Sequence, residues 1–454
     1  MSGAYFARAD VGQLVRDYPA GPAFLARFAG MSVDELRGLQ ERRFKALMAR
    51  GWAIPFYQRL WGARGIEPDD IRSLDDLPRL PTYDKADLMA SIAAHPPLGD
   101  FHGLEGGLGR SPLIMHTTSG TTGKPQVLLF GPRGRETGNL LIARMAHWMG
   151  LADGDVVHSV YGHGMINGGH YVREAFTRHT NALFLSAGTG AETRSAAQVR
   201  LMAEFGATVA VGFIDYIRTL AEVARAEGLE PGEDIRLRLI IGHLGTEDRR
   251  AVEAAWGGAR AFDWYGVGDT GCIAAEGPER DGLYVWEDAQ WLEICDVEDG
   301  TPLPSGARGD MVITTLYKSD VAPCIRFNTH DISALSPGGN PHGLPFRRIQ
   351  GFMGRSDNMV KLRGINVFPH AISALIEGET ALTGEFICHV RGQQMTVTLE
   401  HKAPAHGDMT ALAARLRAGL GVEVAVRLVG PGATAADTQI ETRQKPLRLI
   451  MEGG

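Results

Sequence analysis

Cysteine is scarce in this sequence, and its few copies form no recognisable site. The 454 residues include 4 cysteines, which lie too far apart for a Cys-x-x-Cys pair or a disulfide framework. They are Cys272, Cys295, Cys324 and Cys388. Because disulfide frameworks belong to oxidising compartments, we expect this chain to work in the reducing cytoplasm.

The sequence also lacks the charge excess and the apolar length that nucleic-acid and membrane proteins need. It has 46 Lys and Arg against 53 Asp and Glu residues, a net charge of −7 spread without long runs. It therefore offers neither a basic footprint for nucleic acid nor a polybasic membrane patch. No apolar run reaches spanning length, and charged residues interrupt residues 1–30, which argues against a signal peptide. We expect neither a nucleic acid nor a membrane as a partner.

What is present is typical of a globular protein with more than one domain. A hydrophobic content of 44% supplies a sizeable core, and 454 residues predict two or more domains. Residues 1–90 are predicted to be helical, with an amphipathic helix from Val33 to Trp52 that a Ser32–Glu35 capping box opens. From about residue 110 to 215, strand-like and helical patterns alternate. This alternation predicts an α/β fold of stacked βαβ units with a mostly parallel sheet.

A loop rich in Gly, Ser and Thr separates two predicted strands near residue 120. The apolar run Leu113–Met115 precedes it, and Val127–Phe130 follows it. Small residues let a backbone fold closely round a ligand, and amide groups, hydroxyls and a lysine are donors suited to phosphate oxygens. The candidate phosphate-binding residues are Thr118, Ser119, Gly120, Thr121, Thr122, Gly123 and Lys124.

This loop does not meet the requirements of a Walker-type P-loop. That motif needs glycine at its first position and Ser or Thr after the lysine, where a helix begins. Here Thr118 and Pro125 occupy those two positions, and a strand follows instead of a helix. A polar hairpin turn without a ligand is the alternative interpretation of this segment.

A Gly- and His-rich loop, predicted for residues 162–170, follows the predicted strand Asp155–Tyr161. Ligands in open α/β sheets bind beyond the carboxyl ends of the strands, which makes this segment a candidate pocket. The spacing of His158, His163 and His170 matches no usual set of metal ligands, so we expect hydrogen bonding or packing from them. The candidate substrate-binding residues are Tyr161, His163, Gly164 and Asn167.

Two later strands also end in predicted glycine turns. Leu237–Gly245 contains Gly242 and His243, and Tyr265-Gly266 precedes the carboxylate of Asp269. An aromatic ring beside glycines and one carboxylate suits a purine ring and a phosphate-bound magnesium ion. A Tyr-Gly turn is also common in plain strand-end packing, which stays open as the alternative.

The remainder of the sequence predicts a β-rich subdomain and then a small domain. Residues 283–335 have antiparallel strand patterns and end in a segment where Arg326 and Asp331 either form a structural ion pair or face a ligand. A polar turn containing Arg355 follows a Pro- and Gly-rich loop, and residues 356–454 then predict a compact α+β domain. Its basic tail contains Lys445, which by itself indicates only a solvated surface.

Four of these segments, taken in order, resemble the motifs of the acyl-adenylate-forming enzymes. They are Thr118–Pro125, Tyr265-Gly266, Arg326–Asp331, and Gly354–Asp357 with Gly364–Pro369. Within that superfamily the chain is most similar to the phenylacetate–CoA ligase branch, because of Gly282–Asp288 and the Asn366–Pro369 sequence. The resemblance covers essentially the whole chain from about residue 55, and the ordered combination is more specific than any single motif.

The resemblance implies both an architecture and a reaction. Residues 1–355 would form a large N-terminal domain and residues 356–454 a small mobile lid, with a hinge at Asp357. ATP would adenylate a carboxylic acid to an acyl-AMP with release of pyrophosphate, and the acyl group would then pass to the thiol of coenzyme A. An aryl or arylacetic acid is the expected substrate, and a short hydroxy or branched-chain acid is the alternative.

The resemblance also implies roles for individual residues. The loop 118–124 would hold the β- and γ-phosphates, Asp269 would bind Mg²⁺ as a catalytic residue, and Lys445 would be the mobile lysine of the adenylation step. Positive charge aimed at the reacting phosphate agrees with that role for the lysine. The implied contacts to adenosine are Tyr265, Gly266 and the backbone of Gly242 and His243 for adenine, and Asp331 with Arg355 for ribose.

Some positions depart from the family pattern. Gly268 replaces a hydroxyl residue, Asp269 is shorter than the family's Glu, and Leu244 replaces a carboxylate. The cysteine-pair zinc loop of some relatives is replaced by residues 337–342, so we expect no structural zinc. Two other functions stay open: transfer to the thiol of a carrier protein, and a catalytically degenerate nucleotide-binding scaffold. A homodimer is also left open.

Overall fold

The structure is a computed structural model with two compact units. It describes residues 4–104, 112–118, 126–245, 247–339, 341–356, 360–363, 365–369, 371–376, 379–403, 409–438, 440 and 447–452. The larger unit comprises residues 1–329 and 333–351, and the smaller unit comprises residues 330–332 and 352–454. The domain boundary at residues 355 and 356 and the lid function stay predictions.

The larger unit begins with a helical segment, as the sequence predicts. Its longest helix starts at Ser32, whose Oγ accepts a hydrogen bond from the Glu35 amide at 3.2 Å, while the Glu35 carboxylate accepts one from the Ser32 amide at 2.8 Å. This capping box satisfies backbone donors that a helix start leaves unpaired. The helices are α1 (Val11–Asp17), α2 (Pro22–Phe28), α3 (Val33–Gly51), α4 (Pro55–Gly62) and α5 (Lys85–Ala94), with 3₁₀ turns at Tyr5–Arg8, Pro68–Asp70 and Leu77–Arg79.

Strands and helices then alternate through the rest of the larger unit. In chain order they are β1 (Ile114–Thr117), β2 (Val127–Phe130), α6 (Pro132–Trp148), β3 (Val156–Ser159), α7 (Asn167–His179), β4 (Leu183–Ser186), α8 (Ser195–Glu204), β5 (Val209–Phe213), α9 (Ile214–Ala226), β6 (Leu239–His243), α10 (Arg249–Ala255), β7 (Arg260–Val267), β8 (Gly271–Glu276), β9 (Leu283–Val285), β10 (Gln290–Cys295), β11 (Arg308–Thr315), β12 (Phe327–Ala334) and β13 (Arg348–Ile349). Residues 330–332 of β12 belong to the smaller unit.

An eight-stranded sheet, in the order β13-β9-β8-β7-β6-β5-β3-β4, lies at the centre of the larger unit. The strands from β4 to β7 pair in parallel, and those from β7 to β13 pair antiparallel. Alternate residues face opposite sides, because Val209 and Val211 pack with helices α6 and α7 whereas Ala210 packs with α8 to α10. The predicted α/β class is therefore confirmed, with a mixed sheet whose parallel half carries the βαβ units.

The predicted β-rich subdomain is also present. Strands β10, β11 and β12 form a three-stranded sheet, and β10 pairs antiparallel with β11 in a register that sets Leu292 opposite Ile313. Both side chains are fully buried and share a cluster with Tyr265 of β7. This cluster fixes the position of β7, which carries several of the candidate site residues.

The smaller unit has the predicted α+β pattern. Its buried cluster includes Phe386, Leu399 and Leu416, from two strands and a helix. The antiparallel pair β14-β15 accompanies a four-stranded sheet in the order β18-β17-β16-β19. The elements are β14 (Val360–Leu362), β15 (Ile365–Val367), α11 (Ala371–Ile376), β16 (Leu382–Arg391), β17 (Gln394–His401), α12 (Met409–Leu420), β18 (Ala425–Val429), α13 (Ala435–Thr438) and β19 (Leu449–Met451).

No helix among the described residues is both long and apolar enough to span a bilayer.

Candidate active site

The hairpin β1-β2 carries the predicted phosphate loop. Its strands pair antiparallel with Thr117 opposite Val127, and the Thr118 amide donates to the Gln126 carbonyl at 3.0 Å. The Gln126 amide in turn donates to the Thr118 hydroxyl oxygen at 3.3 Å. These contacts bring the two ends of the loop together, as expected for strand, loop, strand. Residues Ser119 to Lys124 lie outside the described residues.

The hairpin contacts the predicted metal-binding carboxylate directly. Gln126 Nε2 donates to Asp269 Oδ1 at 2.6 Å, across 143 residues of sequence. The ammonium of Lys318 donates to the backbone carbonyl of Asp269 at 2.9 Å, and Lys318 is only 4% exposed. Burial raises the pKa of the Asp269 carboxyl, while the charge of Lys318 and the hydrogen bond from Gln126 act in the opposite direction. The hairpin that carries the predicted phosphate loop therefore contacts the residue predicted to bind the metal.

The departure at Gly268 has a steric explanation. A Cβ atom at this position would lie 2.8 Å from Cδ1 of Leu128, which is inside normal contact distance. Leu128 is on β2 and is 5% exposed. Gly268 therefore lets the Asp269 segment approach the hairpin that carries the phosphate loop.

The residues at this position suit a magnesium ion. Magnesium prefers oxygen ligands and commonly takes one or two carboxylates together with phosphate oxygens and water. Asp269 supplies a carboxylate, and the neighbouring Gln126 Oε1 is buried without a hydrogen-bond partner among the described residues. No set of three or more His, Cys, Asp or Glu side chains that could hold a metal occurs in the described part of the chain.

The predicted adenine-binding residues lie near the carboxyl ends of β5, β6 and β7. Gly242 must be glycine, because a Cβ atom there would lie 2.1 Å from the carbonyl oxygen of Gly212 on the neighbouring strand. Nδ1 of His243 donates to the Trp264 carbonyl at 3.0 Å, and the two rings are 4.3 Å apart. The hydrogen bond and the ring contact orient the His243 side chain at this edge.

The prediction of a turn at Tyr265-Gly266 is wrong. Both residues lie inside β7, which continues to Val267 and pairs with β8. The pairing register shifts between Tyr265 and Gly266, so the glycine marks a bulge and not a strand end. Tyr265 is 6% exposed, and its role toward adenine stays a prediction.

Asp263 on β7 is a carboxylate that the sequence reasoning missed. Its Oδ1 accepts a hydrogen bond from the Leu244 amide at 2.9 Å, next to Gly242 and His243. Burial raises the pKa of Asp263 to about 7. Strand alternation was the available signal, because Asp263 is two residues before Tyr265 and so points to the same face of the strand.

The smaller unit brings together the two residues predicted to bind ribose. Arg355 Nη1 lies 2.7 Å from Asp331 Oδ1, and the two backbones form an antiparallel bridge. Asp331 is 6% exposed, whereas the Arg355 side chain is 33% exposed, so the carboxylate is buried and the guanidinium still reaches water.

Arg326 does not pair with Asp331, so these two residues do not form the structural ion pair that was one of the two interpretations of that segment. Its Nε lies 3.1 Å from Oε2 of Glu293, and Nη2 donates to the Gly300 carbonyl at 2.9 Å. Both side chains of the Arg326–Glu293 pair are less than a tenth exposed. Arg326 is therefore a structural residue of the β-rich subdomain.

Aromatic side chains surround the first predicted substrate-binding residue. Tyr161 is 3% exposed and meets Phe213 edge to face at 5.2 Å between ring centroids. Phe213 is 44% exposed and lies 6.0 Å from the His243 ring. These rings lie at the carboxyl ends of β3, β5 and β6, where open α/β sheets bind ligands.

The other predicted substrate-binding residues meet a histidine cluster. The His170 ring lies 5.0 Å from that of His116 on β1 and 5.5 Å from that of His163. His170 Nε2 donates to the carbonyls of His163 and Gly164 at 2.7 and 2.9 Å. His158 lies apart from the cluster, bonded to Gln198 at 2.9 Å. Spacing alone missed His116, because it comes from a different strand.

Asn167 is helical and not part of a loop as predicted, since it opens α7. Its Oδ1 accepts a hydrogen bond from Nη1 of the buried Arg135 at 2.5 Å. In the first turn of this helix Gly169 packs tightly on Gly162, since a Cβ atom there would lie 2.3 Å from the Gly162 carbonyl oxygen.

The predicted catalytic Lys445 and hinge Asp357 lie outside the described residues, so their roles stay predictions.

Comparison with known proteins identifies the family. A phenylacetate–coenzyme A ligase from Aromatoleum evansii is 31% identical over 393 residues, which cover 84% of this chain and 84% of the relative. This chain belongs to the phenylacetate–coenzyme A ligase family. The predicted resemblance is thereby confirmed, and the chain is an AMP-forming acid–CoA ligase by membership of that family. No family model matches the sequence.

Solved structures support the same assignment of the chain to these ligases. A 2-hydroxyisobutyryl-CoA ligase in the postadenylation state, in complex with an AMP ester, matches with a TM-score of 0.79 and 27% identity, covering 94% of this chain and 92% of that one. An open conformation of that ligase with 2-HIB-AMP and CoA matches with a TM-score of 0.75 and 27% identity, covering 93% of both chains. The fold of this phenylacetate–coenzyme A ligase family member is therefore that of enzymes that form acyl-CoA through an acyl-AMP.

Proposed function

We propose that this member of the phenylacetate–coenzyme A ligase family activates an aryl or arylacetic acid with ATP and transfers the acyl group to coenzyme A. The observation that carries the proposal is the 2.6 Å hydrogen bond between Gln126 and Asp269. It joins the segment with phosphate-binding chemistry to the segment with metal-binding chemistry, although 143 residues separate them. This contact supports the proposal that the two segments serve one ligand.

In the first half-reaction a negatively charged carboxylate must approach the negatively charged phosphates of ATP. The substrate carboxylate attacks the α-phosphate of ATP, a new C–O–P linkage forms, and pyrophosphate leaves as the P–O bond to the β-phosphate breaks. The loop Thr118–Lys124 would hold the β- and γ-phosphates through its amides and hydroxyls, and Lys445 would place positive charge on the reacting phosphate. Asp331, held by Arg355 at 2.7 Å, would accept hydrogen bonds from the ribose hydroxyls.

Asp269, with Gln126 Oε1 beside it, would hold magnesium. Bound magnesium supplies charge neutralisation for the phosphates. Lys318 keeps the Asp269 backbone in place through its 2.9 Å hydrogen bond, which fixes where the carboxylate points. Tyr265 and the Gly242–His243 backbone would receive the adenine at the edge of the parallel strands.

The second half-reaction uses the thiol of coenzyme A. The sulfur attacks the acyl carbonyl of the acyl-AMP, and AMP leaves with the electron pair of the broken C–O bond. A lysine needed only for adenylation can leave before the thiol arrives if it lies on a mobile lid. Asp357 is proposed as the hinge of that movement.

The proposal is tested by pyrophosphate exchange over a panel of carboxylic acids. Substitution Lys445→Ala should lower exchange by several orders of magnitude, because it removes the charge that stabilises the adenylation transition state. Thioester formation from supplied acyl-AMP should survive. Lys402→Ala is the matched control, since Lys402 is exposed on the same unit and has no proposed role.

Three outcomes would change the assignment. Equal loss of both half-reactions in Lys445→Ala would show that this lysine is not specific to adenylation. Tight ATP binding without exchange for any acid would favour the degenerate nucleotide-binding scaffold. Transfer to a carrier-protein thiol in preference to free coenzyme A would identify a carrier partner.

A cytoplasmic location and a homodimer are two separate proposals. Cell fractionation tests the location, and light scattering tests the oligomeric state.

A further inference from the structure

His389 contacts the chain on both sides of the segment that carries Lys445. Its Nδ1 lies 3.2 Å from Glu452 Oε1, and its Nε2 lies 3.5 Å from Asp437 Oδ2. Asp437 belongs to α13, and Glu452 directly follows β19. Lys445 lies between these two elements in sequence. One side chain of β16 therefore bonds the chain both before and after the lysine proposed to act in adenylation.

A backbone hydrogen bond brings the two ends of that segment together. The Leu447 amide donates to the Thr438 carbonyl at 2.8 Å. Residues 439–446 therefore start and finish at one point of the smaller unit. From there β19 pairs in parallel with β16, in a register that sets Ile450 opposite His389. The contacts that hold α13 and β19 to β16 consequently determine where this segment is attached.

The helix before the segment depends on side-chain anchors. α13 has 4 residues, which is too short for a helix that is stable without packing. On its N-terminal side, the buried Glu400 accepts hydrogen bonds from the amides of Gly432 and Thr434, both at 2.9 Å. On its C-terminal side, Asp437 is joined to the sheet by its contact with His389.

An imidazole between two carboxylates is suited to this role. A neutral ring donates one hydrogen bond and a protonated ring donates two, so the protonated form bonds both carboxylates at once. The nearby guanidinium of Arg448 lies 2.7 Å from the Glu385 carboxylate, and this pairing leaves Asp437 and Glu452 to His389.

The exposure of these pairs argues for positioning and against a role in global stability. The side chain of His389 is 24% exposed, and those of Asp437 and Glu452 are 51% and 48% exposed. Partly exposed ion pairs contribute little to the free energy of unfolding. Loss of the pairs should therefore release the segment between them without unfolding the smaller unit.

We propose that His389 is a positioning residue that places Lys445 for adenylation. It does so by holding Asp437 and Glu452, and through them both ends of the segment that carries the lysine. This inference rests on the proposed function, which gives Lys445 its role in the first half-reaction. Because that lysine is needed for adenylation alone, the contacts of His389 should affect adenylation and not thioester formation.

The test measures the two half-reactions separately on the full-length protein. Pyrophosphate exchange with the acid that the wild-type enzyme activates best reports adenylation, and thioester formation from the acyl-AMP of that acid reports the second step. His389→Ala should lower exchange about tenfold and leave thioester formation within about twofold of wild type, because a misplacement of about 1 Å can cost a reaction step up to about a hundredfold.

A control and a rescue accompany this variant. His401→Ala is the matched control, since His401 lies on the neighbouring strand β17 and its Nδ1 contacts the backbone of Ala403. It should leave both rates at the wild-type value. His389→Arg should recover most of the exchange lost in His389→Ala, because a guanidinium has donors for two carboxylates.

The two carboxylates provide further variants. Asp437→Asn and Glu452→Gln should each lower exchange by less than His389→Ala does, because each removes one of the two contacts. Adding Asp437→Asn to His389→Ala should cost nothing more, since the partner of Asp437 is already absent.

A second measurement does not depend on catalysis. Trypsin cleaves after arginine, and Arg443 lies between the two contacts in sequence. Cleavage after Arg443 should be about tenfold faster in His389→Ala than in the wild type or His401→Ala, because proteolysis follows the population of the released form.

The outcomes distinguish failure of the inference from failure of the proposed function. An equal loss of both half-reactions in His389→Ala, a loss in neither, or unchanged cleavage after Arg443 overturns the inference while the ligase function stands. No exchange with any acid in the wild type refutes both. A thermal melt of each variant identifies those that are unfolded, and Asp437→Asn and Glu452→Gln then decide the case if His389→Ala is among them.

Discussion

Replacing Arg144 by methionine should remove a fully buried, two-contact ion pair of the larger unit. Arg144 Nη1 and Nη2 lie 2.7 and 3.0 Å from the two carboxylate oxygens of Asp288, and both side chains are 0% exposed. Nε donates to the Pro19 carbonyl at 2.9 Å, and the guanidinium stacks 5.3 Å from the Trp286 ring. The pair therefore joins the N-terminal helices, α6 and the segment after β9.

The expected loss of unfolding free energy is about 3 kcal/mol. Removing one partner of a buried ion pair costs about 3–5 kcal/mol, since it leaves a buried charge without compensation. The lower end applies here, because Arg43 Nη1 lies 3.8 Å from Asp288 Oδ2 and partly replaces the lost charge. The double variant Arg144→Met with Asp288→Leu should recover most of the loss, because no uncompensated charge remains.

Denaturation in guanidinium chloride, followed by tryptophan fluorescence, measures the loss. All 7 tryptophans lie between residues 52 and 291, so the signal reports only on the larger unit. Arg79→Met is the matched control. Arg79 Nη2 lies 3.1 Å from Asp70 Oδ1, but the two side chains are 53% and 38% exposed, so the loss should stay below about 1 kcal/mol.

Two results would refute this reasoning. One is a loss in Arg144→Met no larger than that in the exposed control. The other is a double variant as unstable as the single variant, which would mean that packing and not uncompensated charge sets the cost.

Two further predictions concern the nucleotide and the metal. Asp331→Ala should raise the dissociation constant of ATP about tenfold, because it removes the proposed acceptor for the ribose hydroxyls and the 2.7 Å partner of Arg355. Titration calorimetry measures this constant, and an unchanged affinity for ATP contradicts the ribose role. Gln126→Leu should weaken the binding of Mn²⁺, which electron paramagnetic resonance measures with ATP present. The substitution also removes the hydrogen bond that lowers the pKa of Asp269. That pKa should therefore rise, and the acid limb of the pH–rate profile should move to higher pH. An unmoved limb with unchanged Mn²⁺ affinity would separate Gln126 from the metal site.

The regular part of the fold was predictable because its signals are local. Successive side chains of β5 and β6 point to opposite faces of the sheet, and both faces are buried. The capping box of Ser32 and Glu35 can be recognised from four consecutive residues. The small α+β unit followed from the same kind of pattern. Where the prediction failed, at Tyr265-Gly266, a tertiary contact overrode a local signal, since pairing with β8 carries the strand through a glycine that indicated a turn.

The candidate site was predictable only as separate segments. The sequence motifs identified Thr118, Asp269 and Asp331 as candidate site residues. The sequence pattern did not predict that Gln126 bonds to the Asp269 carboxylate or that a buried Lys318 bonds to the Asp269 carbonyl. These contacts depend on how distant segments pack. Asp263 and His116 were missed for the same reason, because each acquires its partners from a neighbouring strand or loop and not from its own motif.

The family motif Gly282–Asp288 shows how a functional signature can have a structural basis. Trp286 is fully buried beneath the Arg144 guanidinium, Glu287 pairs with Arg347 at 2.6 Å, and Asp288 holds Arg144. None of these side chains is among the proposed ligand contacts. These three residues of the motif therefore have structural contacts, since Trp286 and Asp288 hold Arg144 of α6 and Glu287 holds Arg347.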